Sequence, residues 1–225
     1  MSCYLVAAAK SWNIRNSEKL ISKYPEHRFE VITNPYGLTE AFVREAYPEY
    51  IFFPHWSWMI PANIYENFKC IVFHMTDLPF GRGGSPLQNL LARGIYHTKI
   101  SAIRAVKGLD QGDIYLKEPL DLSSGNADEI LQRGSEIIYT KMIPRFIEET
   151  LIPEKQSGKA VTFKRRTPKQ SEIPDGLTQR QLYDYIRMLD GEGYPAAYKL
   201  FGDRRVYFRN ARFCGGTVYA DAEFV

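Results

Sequence analysis

"CIVFHMTDLPFGRGGSP", residues 70–86, is the stretch on which the fold turns. It opens as a short apolar run, Cys70, Ile71, Val72 and Phe73, with no polar residue alternating in it. That is how a strand buried on both faces of a parallel sheet reads. Directly after His74 the composition changes to turn residues, with Gly81, Gly83 and Gly84 set around Arg82, and Pro86 then opens a helical stretch, "PLQNLLARG". A buried strand that passes through such a loop into a helix is one unit of an α/β sheet, in which ligands bind outside the carboxyl ends of the strands. The glycines match neither the GK[ST] phosphate loop nor the G-x-G-x-x-G dinucleotide fingerprint. Taken alone they fit a plain turn as well as a ligand loop, and His74 fits a satisfied core histidine as well as a catalytic one.

Upstream, the same unit repeats. "CYLVAAA", "RFEVIT" and "EYIFFP" read as buried strands. They alternate with helices "SEKLISKYP" (Ser17 as N-cap), "TEAFVREAY" (Thr39 as N-cap) and "PANIYENF" (opened by Pro61). This alternation predicts right-handed crossovers and a parallel sheet. Its carboxyl edge then gathers Lys10 and Trp12, the "PHWSWM" stretch and His74. Downstream, Ser85 caps the motif helix, and "KISAIRAV" and "DIYLKEPL" form a strand pair around the turn "KGLDQGD". A long helix follows over residues 126–151, with Asn126 and Glu129 at its start. "PEKQSGK" reads as linker, and one helix and three short strands complete the chain. The expected architecture is a Rossmann-like α/β domain, mostly parallel with helices on both faces, over residues 1–152. A linker at 153–171 and a small C-terminal α+β module at 172–225 follow.

The 225 residues carry a net charge of +3, with 44% hydrophobic and 24% charged side chains, an ordinary globular composition. So weak a basic excess argues against a nucleic-acid binder. Cys3, Cys70 and Cys214 have no metal spacing and suit a reducing cytoplasm. No apolar run is long enough for a membrane span, and the apolar N-terminus has no basic leader.

Asp110, in the Gly-flanked turn "KGLDQGD", supplies a carboxylate to set beside His74. These two elements together resemble the folate-dependent formyltransferases, a family that includes glycinamide ribonucleotide, methionyl-tRNA and sugar N-formyltransferases. The family motif runs Asn-x-His-x-Ser-Leu-Leu-Pro-x-x-Arg-Gly-x-x-Pro. His74, Leu78, Pro79, Arg82, Gly83 and Pro86 fall on it, with Thr76 in place of the Ser. The second motif, Asp-x-Gly before an apolar strand, is Asp110, Gln111 and Gly112. The resemblance covers roughly residues 1–150. It implies formyl transfer from 10-formyltetrahydrofolate to an amine, without a metal, and gives His74, Asp110 and Thr76 catalytic roles. It also implies that the backbone of Trp58, Met59 and Ile60 and of Val106, Lys107, Gly108, Leu109 and Asp110 holds the pterin. Two positions depart from the family: Val72 stands where the oxyanion-binding Asn belongs, and Asp77 stands where the family has Leu.

The last fifty-five residues resemble the C-terminal module of sugar N-formyltransferases, and "FHMTDLPFGRGGSPLQNL" resembles those of pseudaminic-acid-type pathways in bacterial glycan assembly. The acceptor this implies is a nucleotide-linked amino sugar, a UDP-4-amino-4,6-dideoxy sugar, with Arg82, Lys10, Trp12 and Gly83 at its site. The alternatives are formylation of a carrier-bound aminoacyl amine and a non-catalytic folate or sugar-nucleotide binding homologue. The expected partners are these small molecules, with no nucleic acid and no membrane, in a cytoplasmic homodimer.

Overall fold

The computed structural model describes residues 1–225 and divides them into two compact units. The first comprises residues 1–82, 99–120 and 132–161. Its strands are β1 (Cys3–Ala7), β2 (Arg28–Ile32), β3 (Tyr50–Pro54) and β4 (Cys70–His74), connected by helices α1 (Ser11–Lys23), α2 (Glu40–Ala46) and the short α3 (Ala62–Tyr65). After β5 (Phe80–Gly83) and α4 (Pro86–Leu91) come β6 (His97–Arg104) and β7 (Ile114–Asp121), and the sheet order is β2-β1-β3-β4-β6-β7. β1 to β4 are parallel and β6 joins β4 antiparallel, the mostly parallel α/β sheet expected from the alternation. Every residue of β3 is buried, so its sequence "YIFFP" shows no alternation. Leu5, Ala7, Ile51, Phe53 and Cys70 from the sheet pack with Leu38, Val43, Ala46 and Ile64 into one core cluster. Elsewhere in this unit, Tyr50, Phe52 and Tyr115 set their rings edge-on around buried Phe146, with centroids 5.2–5.5 Å away.

Three local details differ from the sequence reading. α1 begins at Ser11, ahead of Ser17. Ser17 is buried inside the helix, and its hydroxyl donates to the Asn13 carbonyl and to the Tyr139 hydroxyl, so it is a packing residue and not a cap. The long helix is broken into α5 (Ala127–Ile137), a π-turn over Ile138–Met142, and α6 (Ile143–Glu148). Ser85 caps nothing by side chain and adopts φ 51; its hydroxyl instead accepts from the Arg166 N–H. Thr39 does cap α2, accepting from the Phe42 N–H.

The second unit comprises residues 83–98, 121–131 and 162–225. Asn126 and Glu129 exchange backbone-to-side-chain hydrogen bonds in a capping box at the start of α5. β8 (Val161–Phe163) leads to α7 (Gln179–Arg187), opened by Thr178 and Gln181 in a second capping box. β9 (Ala197–Phe201), β10 (Arg204–Cys214) and β11 (Thr217–Phe224) make a three-stranded antiparallel sheet. Arg187 is fully buried here, bonded to Asp184 and to the carbonyls of Leu122 and Gly125, so its charge is paired and each of its three side-chain nitrogens donates. Arg204, Arg205, Arg209 and Arg212 all lie on β10.

Candidate functional site

β4 ends at His74, and the register with β6 sets Ser101 opposite it. The Ser101 hydroxyl donates to the Thr76 carbonyl at 2.7 Å and accepts from the Leu78 N–H at 3.3 Å, fastening the loop after His74 to the neighbouring strand. The loop then folds back so that the Gly81 carbonyl lies 2.7 Å from His74 Nε2 and accepts from Thr76 Oγ1 at 3.3 Å. On the other side of the ring, Nδ1 lies 3.5 Å from Asp110 Oδ2, with the two side chains 8% and 9% exposed. Asp110 comes from the turn between β6 and β7 and holds φ 53, the left-handed region that non-glycine residues seldom occupy. Both ring nitrogens therefore face acceptors. A carbonyl can only accept, so Nε2 carries a hydrogen. Nδ1 faces the Asp110 carboxylate, so the site pairs a histidine and a carboxylate at the end of β4.

Asp77, at the departure from the family pattern, is bonded to Lys117 at 2.5 Å and Lys99 at 3.2 Å, and Lys117 also donates to the Leu78 carbonyl at 2.6 Å. Burial alone would raise the Asp77 carboxyl; the hydrogen bonds from the two lysines outweigh it and hold the group below the ordinary range. Asp77 therefore ties the motif loop to β6 and β7. Val72 is half-buried and brings no polar atom to the place of the family's Asn. The Arg82 guanidinium donates from Nε and Nη2 to Gln156 Oε1, at 3.1 and 2.7 Å.

The positions expected to hold a pterin show a common feature. Trp58, Met59, Val106 and Leu109 are large apolar side chains left exposed, in two loops of the same unit. Exposed apolar groups so placed are what a flat, partly apolar ring would cover. Ile60 and Gly108 are half-buried, and Lys107 is exposed. A cavity of about 360 Å³ adjoins the turn, lined among others by Tyr65, Arg104, Val106, Lys107 and Gln111. Lys10 Nζ lies 5.5 Å from the ring centroid of Trp12, which is itself buried. Gly83 has φ +103, and a Cβ there would stand 2.4 Å from the Phe163 carbonyl, so this motif glycine is required by close backbone approach.

Two residues of this region carry no sequence signal. His55, one position beyond β3, has φ 51, and its Nδ1 lies 3.4 Å from the Asn13 amide nitrogen, which also donates to the Pro54 carbonyl. The residue is half-buried, yet its Nε2 is cut off from solvent without a hydrogen-bond partner, as are the indole N–H groups of Trp12 and Trp56. Burial pushes the His55 ring down to about 4, so it is neutral at pH 7. The other residue is Gln156. Its Nε2 donates to the carbonyls of Asp110 and Gly112, both at 2.8 Å.

Comparison with known proteins points in one direction. A family model described as the C-terminal domain of methionyl-tRNA formyltransferase matches residues 168–225. The solved structure of a methionyl-tRNA formyltransferase from Clostridium thermocellum is 50% identical, covers all of this chain and 99% of its own, and superposes with a TM-score of 0.96. The methionyl-tRNA formyltransferase of Bacillus licheniformis is 25% identical over 174 residues, 74% of this chain and 54% of that protein. The chain thus spans about half the length of the curated relatives it matches. A 4-N formyltransferase from Francisella tularensis shares the fold at 17% identity and a TM-score of 0.73, covering 92% of this chain.

These findings correct two expectations. The nucleotide-linked amino sugar inferred as acceptor, and the exclusion of nucleic acid as a partner, are overturned by relatives named for methionyl-tRNA, one of them matched across the whole chain. The physical reason lies in averaging. A whole-chain charge of +3 conceals four arginines on the single strand β10.

Proposed function

The chain belongs to the formyltransferase family, and on that premise we propose that it transfers a formyl group from 10-formyltetrahydrofolate to the amino group of an aminoacyl-tRNA, with methionyl-tRNA as its acceptor. The observation that carries this acceptor is the 50% identity over the whole chain to the Clostridium thermocellum protein. An aminoacyl-tRNA is a carrier-bound aminoacyl amine, the alternative acceptor class raised by the sequence.

The folate co-substrate supplies the formyl carbon; the chain's part is to bind, orient and move protons. The backbone of Trp58, Met59, Ile60 and of Val106 to Asp110 is suited to the pterin edge, which alternates donors and acceptors as a free peptide segment does, while the exposed Trp58, Met59 and Leu109 side chains cover its faces. His74, held through Nε2 by the Gly81 carbonyl, presents Nδ1 beside Asp110, where the proton released by the attacking amine is held and passed on. Asp110 fixes the ring orientation and balances the charge that builds on it. Thr76 shares the Gly81 carbonyl with His74 and keeps the loop closed. With Val72 in place of the family's Asn, charge developing on the formyl oxygen falls to a backbone N–H. The C-terminal sheet, with Arg204, Arg205, Arg209 and Arg212 on β10 and exposed Phe213 and Tyr219 beside them, offers cations and aromatic faces to the acceptor's phosphates and bases. No helix is long and apolar enough to cross a membrane, and the proposed place of action is the cytoplasm, where aminoacyl-tRNA is.

The test is an acceptor panel. The protein is incubated with 10-formyltetrahydrofolate and, separately, methionyl-tRNA, other aminoacyl-tRNAs and UDP- or dTDP-linked amino sugars, and each acceptor is weighed for a gained formyl group. Formylation of methionyl-tRNA in preference to the rest is expected. Formylation of an amino sugar with methionyl-tRNA untouched would refute the reading.

A further inference from the structure

The polar stretch "PEKQSGK" reads as a tether, but in the folded chain it backs the candidate catalytic turn. Ile114 and Glu154 exchange a pair of backbone hydrogen bonds, 2.8 and 2.9 Å, which lay this segment along the start of β7. Two residues on, the half-buried Gln156 side chain makes four hydrogen bonds. Its nitrogen donates to the carbonyls of Asp110 and Gly112, and its oxygen accepts from both Nε and Nη2 of Arg82. A primary amide has two N–H groups and two lone pairs, so every one is used.

The two sides of this bridge are the two sides of the His74–Asp110 pair. Arg82 directly follows Gly81, whose carbonyl holds His74 Nε2. Asp110 is held in a left-handed backbone conformation that non-glycine residues adopt only where the surroundings enforce it. Gln156 grips its carbonyl and that of Gly112, which pins the backbone directly after the Cα from which the carboxylate projects toward Nδ1. The turn has no slack, since a Cβ on Gly112 would stand 1.7 Å from the Arg104 carbonyl. We infer that Gln156, backed by Arg82, is a positioning residue that sets the Asp110 carboxylate against His74 Nδ1. This rests on the proposed formyl transfer for its consequence in rate, though not for its consequence in structure. It also gives Arg82 a role through Gln156 within the protein.

The experiment compares the full-length protein with Gln156→Ala and Gln156→Glu. Glutamate keeps the acceptor for Arg82 and removes both donors to the turn. kcat, the affinity for tetrahydrofolate, the melting temperature and the His74 ring Nδ1–H signal in ¹⁵N-labelled protein are measured for each. Expected in both variants is a loss of roughly tenfold to a hundredfold in kcat, the scale of a catalytic group displaced by about an ångström. Folate affinity and melting temperature should fall far less than kcat, and the Nδ1–H signal should be shifted or lost. An unchanged kcat in Gln156→Glu, or a kcat loss matched by loss of folate binding and of melting temperature in both variants, would overturn the inference. If the unaltered protein formylates no acceptor, the proposed function fails, and the Nδ1–H signal alone decides the inference: perturbed in both variants it stands, unperturbed it falls.

Discussion

His55 offers a way to test the buried polar arrangement beside the candidate active edge through pH. Its ring is neutral in the folded chain, pushed by burial to about 4 from the ordinary 6.5. Because the folded value is lowered, the unfolded chain takes up the proton first as the pH falls. The stability this histidine permits is therefore complete above about pH 6.5 and declines from there toward pH 4. Between pH 7 and pH 5 the linkage amounts to about 2 kcal/mol, which partial exposure of the ring trims to roughly 1–2 kcal/mol. The assay is urea unfolding of the unaltered protein and of His55→Gln at both pH values. Glutamine offers an amide at similar reach to Asn13 and does not titrate. The unaltered protein should lose about 1–2 kcal/mol more than the variant on going to pH 5. Equal losses would mean that His55 is not held neutral by burial, and that the contact with Asn13 tolerates the charged ring.

Other consequences concern the site more directly. Asp110→Asn keeps the shape of the turn but removes the charge facing His74 Nδ1, so kcat should fall on the order of 10²–10⁴-fold with folate binding largely kept, read by steady-state kinetics and calorimetry. Gly112→Ala places a methyl group 1.7 Å from the Arg104 carbonyl and must move the Asp110 turn. A stability loss of about 3 kcal/mol or more in urea unfolding should accompany its loss of activity. Arg209→Ala and Arg212→Ala should raise KM for methionyl-tRNA while leaving folate affinity intact, and should flatten the dependence of KM on salt by about one counterion for each phosphate contact removed.

The sheet was legible because its central parallel strands are buried on both faces: "YIFFP" and the "CIVF" of β4 alternate with no charged or polar residue and fit no amphipathic helix. The facing of His74 and Asp110 was legible through two short motifs whose chemistry requires a histidine and a carboxylate in contact, and the structure sets them 3.5 Å apart. Gln156 was not legible. It lies 46 residues beyond the carbonyl it holds, in a stretch of Pro, Lys and Gly whose composition is that of a tether. His55 was hidden for a related reason, since its role depends on Asn13, 42 positions away, and on a backbone φ that no neighbour announces. The start of α1 was misplaced because Ser17 looks like a cap, while its hydroxyl in fact reaches Tyr139 on the π-turn. The acceptor was misjudged because net charge is a sum over the chain, in which the four arginines of β10 do not show.

The most direct test is the release of N-formylmethionine by alkaline hydrolysis of methionyl-tRNA after incubation with 10-formyltetrahydrofolate and either the unaltered protein or His74→Asn. Expected is formylmethionine in proportion to methionyl-tRNA with the unaltered protein and none above background with the variant. No formylmethionine from the unaltered protein, or equal amounts from both, would contradict formyl transfer at His74.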